Sequence, residues 1–305
     1  MSKNRPVVLS FSGHDPSGGA GIQADIETLI SHQCHACSVI TALTEQDSSN
    51  VKKLIPQQPQ DIIDQAQTVL NDFQVKAIKI GLIGHHETAA AIQSILIQNP
   101  QIPVILDPVL AAGGGTPLAN EQLITNIIEL LLPYTTILTP NSEEARILAK
   151  QTNLTDCGLT LLDNGCHYVL ITGTHEQSNT VNNQLFRMND KTETFSWNRL
   201  SHEYHGSGCT LASSIAALVA HDLDPFTAIT EAELNSEVAS NTVTISGVDD
   251  ETPFTFLGSK YVLNGVEIAG GSEVVGGTVN SGDEIALYVA TGDEFNTQYQ
   301  ASIAI

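Results

Sequence analysis

The chain has 305 residues, of which 41% are hydrophobic, so it has enough apolar material for a large core and enough length for two domains. Its formal net charge of −22 argues against a broad nucleic-acid-binding surface and against a face for anionic membranes. A small anionic ligand is compatible with this charge, because a helix N-terminus, a lysine or a metal ion can neutralise it locally. Residues 1–12 have no apolar segment with a small-residue cleavage site, so we expect a cytoplasmic protein.

Short apolar runs alternate with segments of helical periodicity from residue 6 to about residue 233. Such alternation is typical of a mostly parallel sheet with helices on both faces, and we therefore predict a three-layer α/β/α fold. The predicted strands are 7–12, 38–43, 77–80, 104–106, 135–138 and 168–171, followed by a hairpin of 181–187 and 192–197 around 189–190. The predicted helices are 22–31, 59–73, 87–98, 120–131, 142–150 and 211–220.

Small, polar or charged residues follow each predicted strand. Gly13 follows the first strand, Gln46 the second, Asp107 the fourth, Asn141 the fifth and Thr172 the sixth. Ligands of open α/β sheets bind beyond the carboxyl ends of the strands, so these residues should share one edge and one site. Turn formation alone explains glycines and prolines at strand ends, but it explains carboxylates and amides less well.

The segment Gly206-Ser207-Gly208-Cys209 precedes a predicted helix of small and apolar residues. Two glycines before a helix let successive N–H groups turn toward one point, and the helix dipole adds positive charge there. The segment can therefore hold an anion such as a phosphate. Cys209 would lie at the helix start, where a thiolate forms more easily. Taken alone, the segment is explained equally well as an ordinary helix-entry turn.

Cys34 and Cys37 form a C-x-x-C pair with His32 and His35 nearby, which suggests a zinc or redox site. No second ligand pair of matching spacing follows, and five cysteines are an odd number for a disulfide framework. We therefore favour reduced thiols over a metal site.

The composition changes after residue 233. Residues 234–305 contain ten acidic residues, one basic residue (Lys260) and no cysteine. Short alternating runs at 242–246, 254–257, 260–263, 284–290 and 299–305 are separated by turn sequences, which predicts a small all-β sandwich. We expect two domains, 1–233 and 234–305.

The order of these motifs over residues 6–221 resembles the ribokinase superfamily, and within it the hydroxymethylpyrimidine and phosphomethylpyrimidine kinases of thiamine biosynthesis. The matching segments include 12–25, 38–43, 79–81, 106–109, 138–145, 169–173 and 205–211. The resemblance implies a ribokinase-like fold and transfer of the γ-phosphoryl group of ATP, with Mg²⁺, to the hydroxymethyl group of a 4-aminopyrimidine. A second transfer to the resulting monophosphate is also implied, as is a possible homodimer.

The resemblance also assigns roles to individual residues. It places Gly13, Asp25 and Gln46 at the pyrimidine, Asn141, Glu144, Thr172 and Gly173 at the ATP, Asp107 and Glu144 at the magnesium, and Gly206, Ser207, Gly208 and the general base Cys209 at the transferring phosphoryl group. Relatives commonly have a basic residue where Thr172 stands, so one phosphate contact is expected to differ. Without the resemblance, Asp25 would be interpreted as a helix-surface charge and Glu144 as an exposed residue of a first helical turn.

Two other interpretations stay open. A pyridoxal or pyridoxine kinase shares the scaffold and the cysteine loop, although Gln46 and the loop 13–21 favour the pyrimidine kinase. An inactive kinase-like fusion that only binds or supports other molecules is the second, because 234–305 stands where the family has a helical closing segment. This tail resembles immunoglobulin-like repeats of bacterial surface proteins, which have no chemistry of their own.

Overall fold

The computed structural model describes residues 5–47, 50–188, 192–199 and 206–233, together with the backbone of strands within 238–289. The chain divides into two compact units, Met1–Glu233 and Leu234–Ile305. Among the helices that the structure describes, none is both long and apolar enough to cross a membrane.

A nine-stranded sheet forms the centre of the first unit. Its strands in chain order are β1 Val7–His14, β2 His35–Gln46, β3 Val51–Pro56, β4 Val75–Ile80, β5 Val104–Leu106, β6 Ile137–Leu138, β7 Tyr168–Ile171, β8 Thr180–Arg187 and β9 Glu193–Asn198. They lie side by side in the order β3-β2-β1-β4-β5-β6-β7-β8-β9. The strands from β2 to β7 in this order pair in parallel, whereas β3, β8 and β9 at the edges pair antiparallel. The mostly parallel sheet predicted from the sequence is confirmed.

Helices cover both faces of this sheet. They are α1 Gly21–Ser31, α2 Pro59–Asp72, α3 His86–Gln98, α4 Glu121–Asn126, α5 Ser142–Ala149, α6 Leu154–Asp163, α7 Ser207–Ala220 and α8 Pro225–Glu233. Side chains alternate along β1, so that Leu9 and Phe11 pack into the cluster under α2 to α6, while Val8 packs into the cluster under α1, α7 and α8. The strands are thus buried on both sides, as the continuous apolar runs predicted.

Helix α7 packs against β4, β5 and α1 through a face of small residues. Ala212, Ala216 and Ala217 are fully buried on this face. Small side chains let the helix backbone approach the sheet closely, and this close packing brings the first turn of α7 to the carboxyl edge of the strands.

Three elements of the first unit, and the strands Val238–Ala239 and Val266–Val279 of the second, were not predicted from the sequence. The edge strand β3 is mostly exposed and therefore has no apolar run. Helix α6 contains Gly158, a poor helix former, but a Cβ there would lie 2.5 Å from the Phe186 ring, so packing requires the glycine. Helix α8 follows Asp224, which caps it by accepting from Thr227 N at 3.2 Å.

The predicted helix over 120–131 is regular only as far as Asn126. It continues as a π-helical turn, Ile127–Leu131, and a 3-10 turn, Leu132–Tyr134. Pro133 lacks an N–H and so cannot continue an α-helix without a missing hydrogen bond.

The cysteine pair does not form a shared site. Cys34 packs into the cluster under α7 and Cys37 into the cluster on the opposite face of the sheet. All five cysteines are unpaired, and burial raises the pKa of Cys34 to about 12. Within the described residues, no three His, Cys, Asp or Glu side chains are grouped as a metal-ion site. Cys34 and Cys37 lie in clusters on opposite faces of the sheet, so their side chains do not converge on one point.

The second unit has only β-strands among its described residues. They are β10 Val238–Ala239, β11 Val243–Thr244, β12 Thr252–Leu263, β13 Val266–Val279 and β14 Glu284–Val289. They form one antiparallel sheet in the order β10-β14-β12-β13, with β11 also paired to β14. The predicted strand at 299–305 and the turn at 189–190 lie outside the described residues, and the sandwich stays a prediction.

Candidate active site

One cavity of about 200 Å³ opens at the carboxyl edge of the parallel strands. Its wall includes ten residues that the sequence analysis selected: Gly13, Gln46, Asp107, Asn141, Glu144, Thr172, Gly206, Ser207, Gly208 and Cys209. The five strand-end residues of this set therefore meet at one edge, as predicted: Gly13, Gln46, Asp107, Asn141 and Thr172. Asp25 and Gly173 are not part of the wall.

The cavity floor is made where two glycine loops touch. Gly206 has a φ of 86°, and a Cβ there would overlap the carbonyl oxygen of Gly19. Gly21 has a φ of 60°, and its Cβ would overlap the carbonyl oxygen of Gly13. The loop 13–21 is held in shape by Asp15, whose carboxylate accepts hydrogen bonds from Ser17 N and Ala20 N. Glycine is needed at 21 and 206 because backbone occupies the space of a side chain.

The first turn of α7 faces the cavity from this contact. The helix begins at Ser207, one turn earlier than predicted, so Gly208 and Cys209 lie inside it. Gly206 is its N-cap and supplies no side-chain acceptor. The first N–H groups of a helix have no acceptor within the helix and carry the positive end of its dipole. This turn therefore suits an anion.

Asp25 lies beneath the cavity rather than at its wall. The residue is completely buried, and its carboxylate accepts hydrogen bonds from Ser10 Oγ at 2.6 Å, Ser213 Oγ at 2.9 Å and Lys79 Nζ at 2.8 Å. The interpretation as a helix-surface charge is wrong. The direct pyrimidine contact implied by the resemblance is not available to the side chain in this arrangement, because neighbouring protein groups enclose it.

Lys79 is a site-associated residue that the sequence analysis did not select. It is fully buried on β4, with its Nζ 2.8 Å from Asp25 Oδ1 and 3.8 Å from Asp107 Oδ2. Burial by itself lowers the pKa of Lys79, but the carboxylates of Asp25 and Asp107 outweigh burial and hold the pKa above its ordinary value. The available signal was a lysine between the two isoleucines that end β4, two residues before Gly81.

Asp107 combines burial with an unsatisfied oxygen. Its Oδ2 atom accepts no hydrogen bond from any described residue. Burial raises the pKa of Asp107, while Lys79 and a hydrogen bond from the Cys209 thiol act in the opposite direction. A buried carboxylate oxygen without a hydrogen-bond donor, 3.8 Å from the nearest ammonium, is a polar atom that a further cation would satisfy.

The surroundings of Cys209 do not favour a thiolate. Desolvation raises the pKa of its thiol, Lys79 acts in the opposite direction, and the Asp107 and Asp25 carboxylates add to the rise. These effects oppose the easily formed thiolate that we expected at the helix start. The dipole at the helix start is outweighed by burial and by two nearby negative charges.

Asn141 and Glu144 form a capping box at the start of α5. Asn141 Oδ1 accepts from Glu144 N at 2.9 Å, and Glu144 Oε2 accepts from Asn141 N at 2.9 Å. Glu144 Oε1 also accepts from Leu110 N at 3.2 Å. The side chain is buried, so the interpretation as an exposed first-turn residue is wrong. Burial, with a contribution from Asp107, raises the pKa of Glu144 to about 8.

Gln46 and Thr172 lie on opposite parts of the cavity wall, at the ends of β2 and β7. Gln46 Oε1 is 3.0 Å from Thr44 Oγ1, which is also 2.8 Å from the carbonyl oxygen of His14. The residue after Thr172, Gly173, faces away from the cavity and donates its N–H to Asn183 Oδ1 at 2.9 Å.

These features define a class of protein. A parallel α/β sheet with strand-end carboxylates and a glycine-initiated helix around one carboxyl-edge cavity is the arrangement of a ribokinase-like small-molecule kinase. A family model for phosphomethylpyrimidine kinase matches residues 15–243. The chain belongs to the phosphomethylpyrimidine kinase family.

Curated relatives agree with this assignment. The hydroxymethylpyrimidine/phosphomethylpyrimidine kinase of Escherichia coli is 32% identical over 216 residues, covering 69% of this chain and 81% of the relative. The enzyme of the same name from Mycobacterium tuberculosis is 34% identical over 226 residues, covering 71% and 81%.

Solved structures show the same fold. Phosphomethylpyrimidine kinase from Clostridium difficile matches with a TM-score of 0.66 and 29% identity over 75% of this chain and 97% of that one. An ADP complex of Bacillus subtilis pyridoxal kinase matches with a TM-score of 0.67 and 24% identity, over 75% and 89% of the two chains. At that identity the second match establishes the fold alone.

Replacing Gly206 by alanine should destabilise the contact between the two loops. The positive φ and the overlap with Gly19 should lower the unfolding midpoint by about 3 °C or more. Gly208→Ala is the matched control, because a Cβ at Gly208 meets no atom within 4 Å and alanine favours a helix. Thermal unfolding followed by circular dichroism measures both. Equal midpoints for the two variants would contradict the contact.

Replacing Glu144 by glutamine should flatten the dependence of stability on pH. The pKa of Glu144 is about 8 in the folded protein against an ordinary value of 4.5, so the folded state binds the extra proton and wild-type stability falls as pH rises through this interval. Glutamine keeps an oxygen for the capping box. Measured without divalent cations, the unfolding midpoint of the variant relative to wild type should rise between about pH 5 and 8.5.

Glu143→Gln provides the control for this measurement, because Glu143 is the exposed neighbour on the same helical turn. Its unfolding midpoint should follow that of the wild type at every pH. Parallel curves for Glu144→Gln and wild type would show that Glu144 does not titrate in this interval.

Proposed function

We propose that this chain transfers the γ-phosphoryl group of ATP to 4-amino-5-hydroxymethyl-2-methylpyrimidine and then to the monophosphate that results. The observation that supports it most is the meeting of Gln46, Asp107 and the Gly206–Cys209 turn at one cavity, within a chain of the phosphomethylpyrimidine kinase family. The names of the relatives supply the substrate class.

The pyrimidine would lie between apolar walls and a polar end. Val51, Leu82 and Leu118 form a small apolar cluster at the cavity, which suits the faces of a flat ring. A side-chain amide such as that of Gln46 both donates and accepts, which matches a ring nitrogen next to an exocyclic amine. Gly13 lets Leu82 pack against the end of β1, because a Cβ there would come 2.6 Å from Leu82 Cδ2.

ATP would bind along the Asn141, Glu144 and Thr172 side of the cavity. Related kinase structures hold ADP or a non-hydrolysable ATP analogue. Thr172 carries no charge, so phosphate binding at this end rests on backbone groups and on a cation rather than on a lysine.

Magnesium fits the donor set at the wall. Asp107 Oδ2 lacks a hydrogen-bond donor among the described residues, and the charge of Asp107 raises the pKa of nearby Glu144. Two carboxylates that disfavour each other's charge, beside a phosphate site, are what a hard divalent cation stabilises. Asp107 and Glu144 would hold the ion, which supplies charge neutralisation for the phosphates.

The first turn of α7 would stabilise the transferring phosphoryl group. Its N–H groups lie at the positive end of the helix dipole and at the cavity wall, and positioning and electrostatics carry most of phosphoryl-transfer catalysis. Cys209 lies in this turn and, like Asp107, belongs to the cavity wall. Its role as general base stays a prediction, and it requires that bound ligands change the surroundings that keep the thiol protonated.

We further propose that residues 1–233 form the kinase domain and that 234–305 is a separate β-rich segment without chemistry of its own. Most of the family match lies in the first unit, and the described residues of the second are strands only. Five unpaired cysteines suit a reducing compartment such as the cytoplasm. The homodimer stays a prediction.

The proposed function is tested by ADP formation in the full chain with ATP, Mg²⁺ and the hydroxymethylpyrimidine, with products separated as monophosphate and diphosphate. We expect kcat/KM for the pyrimidine to exceed that for pyridoxal by at least about tenfold, because Gln46 matches the aminopyrimidine edge. The reverse ratio would favour a pyridoxal-type kinase. A folded chain without turnover on either substrate would favour an inactive kinase-like protein.

Replacing Cys209 by alanine should lower kcat by about 100-fold or more if the residue accepts the hydroxyl proton. Cys37→Ala is the control, because Cys37 is a buried thiol packed into the cluster on the other face of the sheet. Steady-state kinetics with the pyrimidine measures both variants. Near-normal turnover in Cys209→Ala would remove the general-base assignment while leaving the kinase intact.

A further inference from the structure

Lys79 is an ammonium ion enclosed directly beneath the candidate active site. It is fully buried and is not part of the cavity wall, so it cannot touch a ligand there. Its Nζ donates to Asp25 Oδ1 at 2.8 Å and faces Asp107 Oδ2 at 3.8 Å. Asp107 belongs to the wall, so the lysine connects a deep charge with a carboxylate of the site.

The fold contains a specific place for this ammonium. A Cβ at Gly81 would lie 2.7 Å from Lys79 Nζ and 2.7 Å from Ser12 Oγ, so the missing side chain at 81 leaves the space that the ammonium uses. Asp25 is fixed in turn by hydroxyls from two other elements, Ser10 on β1 and Ser213 on α7. The position of the ammonium is thus fixed by its hydrogen bond to Asp25 and by the space at Gly81, independently of Asp107.

The ammonium of Lys79 lies between two carboxylates and so determines the net charge beneath the site. Asp25 and Asp107 are two carboxylates, and Lys79 is the cation within ion-pair distance of both. Without the lysine, two buried negative charges would lie under the wall where an anionic phosphate chain is to bind. With Lys79 present, Asp25 forms an ion pair, and the fixed ammonium attracts the carboxylate of Asp107.

We propose that Lys79 is a positioning residue for phosphoryl transfer, which holds the Asp107 carboxylate in place and reduces the negative charge beneath the phosphate site. The proposal rests on the proposed kinase function for its catalytic consequence. The competing explanation is that Lys79 serves only as the counter-ion of Asp25 and matters for stability alone.

A double-mutant cycle in the full chain separates these explanations. Lys79→Met leaves two buried carboxylates without a cation and should lower both the unfolding midpoint and kcat. Adding Asp25→Asn removes one of those charges, so Lys79→Met/Asp25→Asn should regain much of the midpoint. Its kcat should stay at least about 100-fold below wild type, because Asp107 still lacks its cation. Asp25→Asn alone keeps the lysine beside Asp107 and should exceed the double variant in kcat by at least about tenfold.

Lys76→Met is the matched control on the same strand. Lys76 is exposed and pairs with Asp222 at 3.5 Å, away from the cavity, so its loss should leave midpoint and turnover close to wild type. Affinity for the Mg²⁺ complex of the ATP analogue AMP-PCP, measured by calorimetry, adds a readout that needs no turnover. The double variant should bind it at least about tenfold more weakly than Asp25→Asn.

Recovery of kcat and nucleotide affinity together with stability in the double variant would overturn the proposal and leave Lys79 as a counter-ion. Lys79→Met with wild-type kcat would overturn it as well. If the wild-type chain itself has no turnover, the proposed function fails, but the calorimetric comparison between the two Asp25→Asn backgrounds still decides the role of Lys79.

Discussion

The hydrogen-bonded ion pair between Lys79 and Asp25, 2.8 Å long and without solvent exposure, is the interaction on which the rest of the site depends. Removing two charges from water is costly, and such a pair persists only when further hydrogen bonds complete it. Here Ser10 and Ser213 supply them to Asp25. The pair therefore joins β1, β4, α1 and α7 at one point. The carboxylate of Asp107 lies 3.8 Å from the lysine of this pair, and the helix that supplies Ser213 also supplies the first turn at the cavity.

A second constraint is the close backbone contact between the loops 13–21 and 206–209. Gly206 and Gly21 are positioned where any side chain would overlap a carbonyl oxygen. This contact brings the start of α7 against the loop that follows β1, so the positive end of the helix dipole lies at the cavity wall. The small buried residues of α7 have the same effect, since they let the helix approach the sheet. Anion binding at this turn is thus a property of the packing and not of the turn alone.

Much of the site could be predicted because the carboxyl ends of parallel strands meet at one edge. Gln46, Asp107 and Thr172 needed only correct strand assignments to be placed together, and the apolar runs of β2, β5 and β7 gave those. Glu144 lies in the cavity wall, as its assignment to the ATP and magnesium side implied. Its burial depends on how α5 packs against the sheet, and the residues of its helical turn do not indicate that packing. Helix α6 was missed because the glycine that interrupts its pattern is required by Phe186, a residue on a different element.

The sequence could not predict which of the site's charged side chains are buried. Asp25 is buried because α7 packs against α1, and the sequence around Asp25 does not contain that information. The residues next to Lys79 in β4 likewise do not indicate whether its ammonium is buried or exposed. The behaviour of Cys209 shows the same limit: its position at a helix start predicts a thiolate, while desolvation and two carboxylates from distant segments raise its pKa. Each of these properties is set by residues far away in the chain.

The most direct test of this account is a crystal structure of the full chain with AMP-PCP, Mg²⁺ and the hydroxymethylpyrimidine. The account predicts the terminal phosphate within hydrogen-bond distance of the N–H groups of 206–209, the metal ion at Asp107 and the pyrimidine beside Gln46. A terminal phosphate that makes no hydrogen bond with the N–H groups of 206–209 would contradict the account.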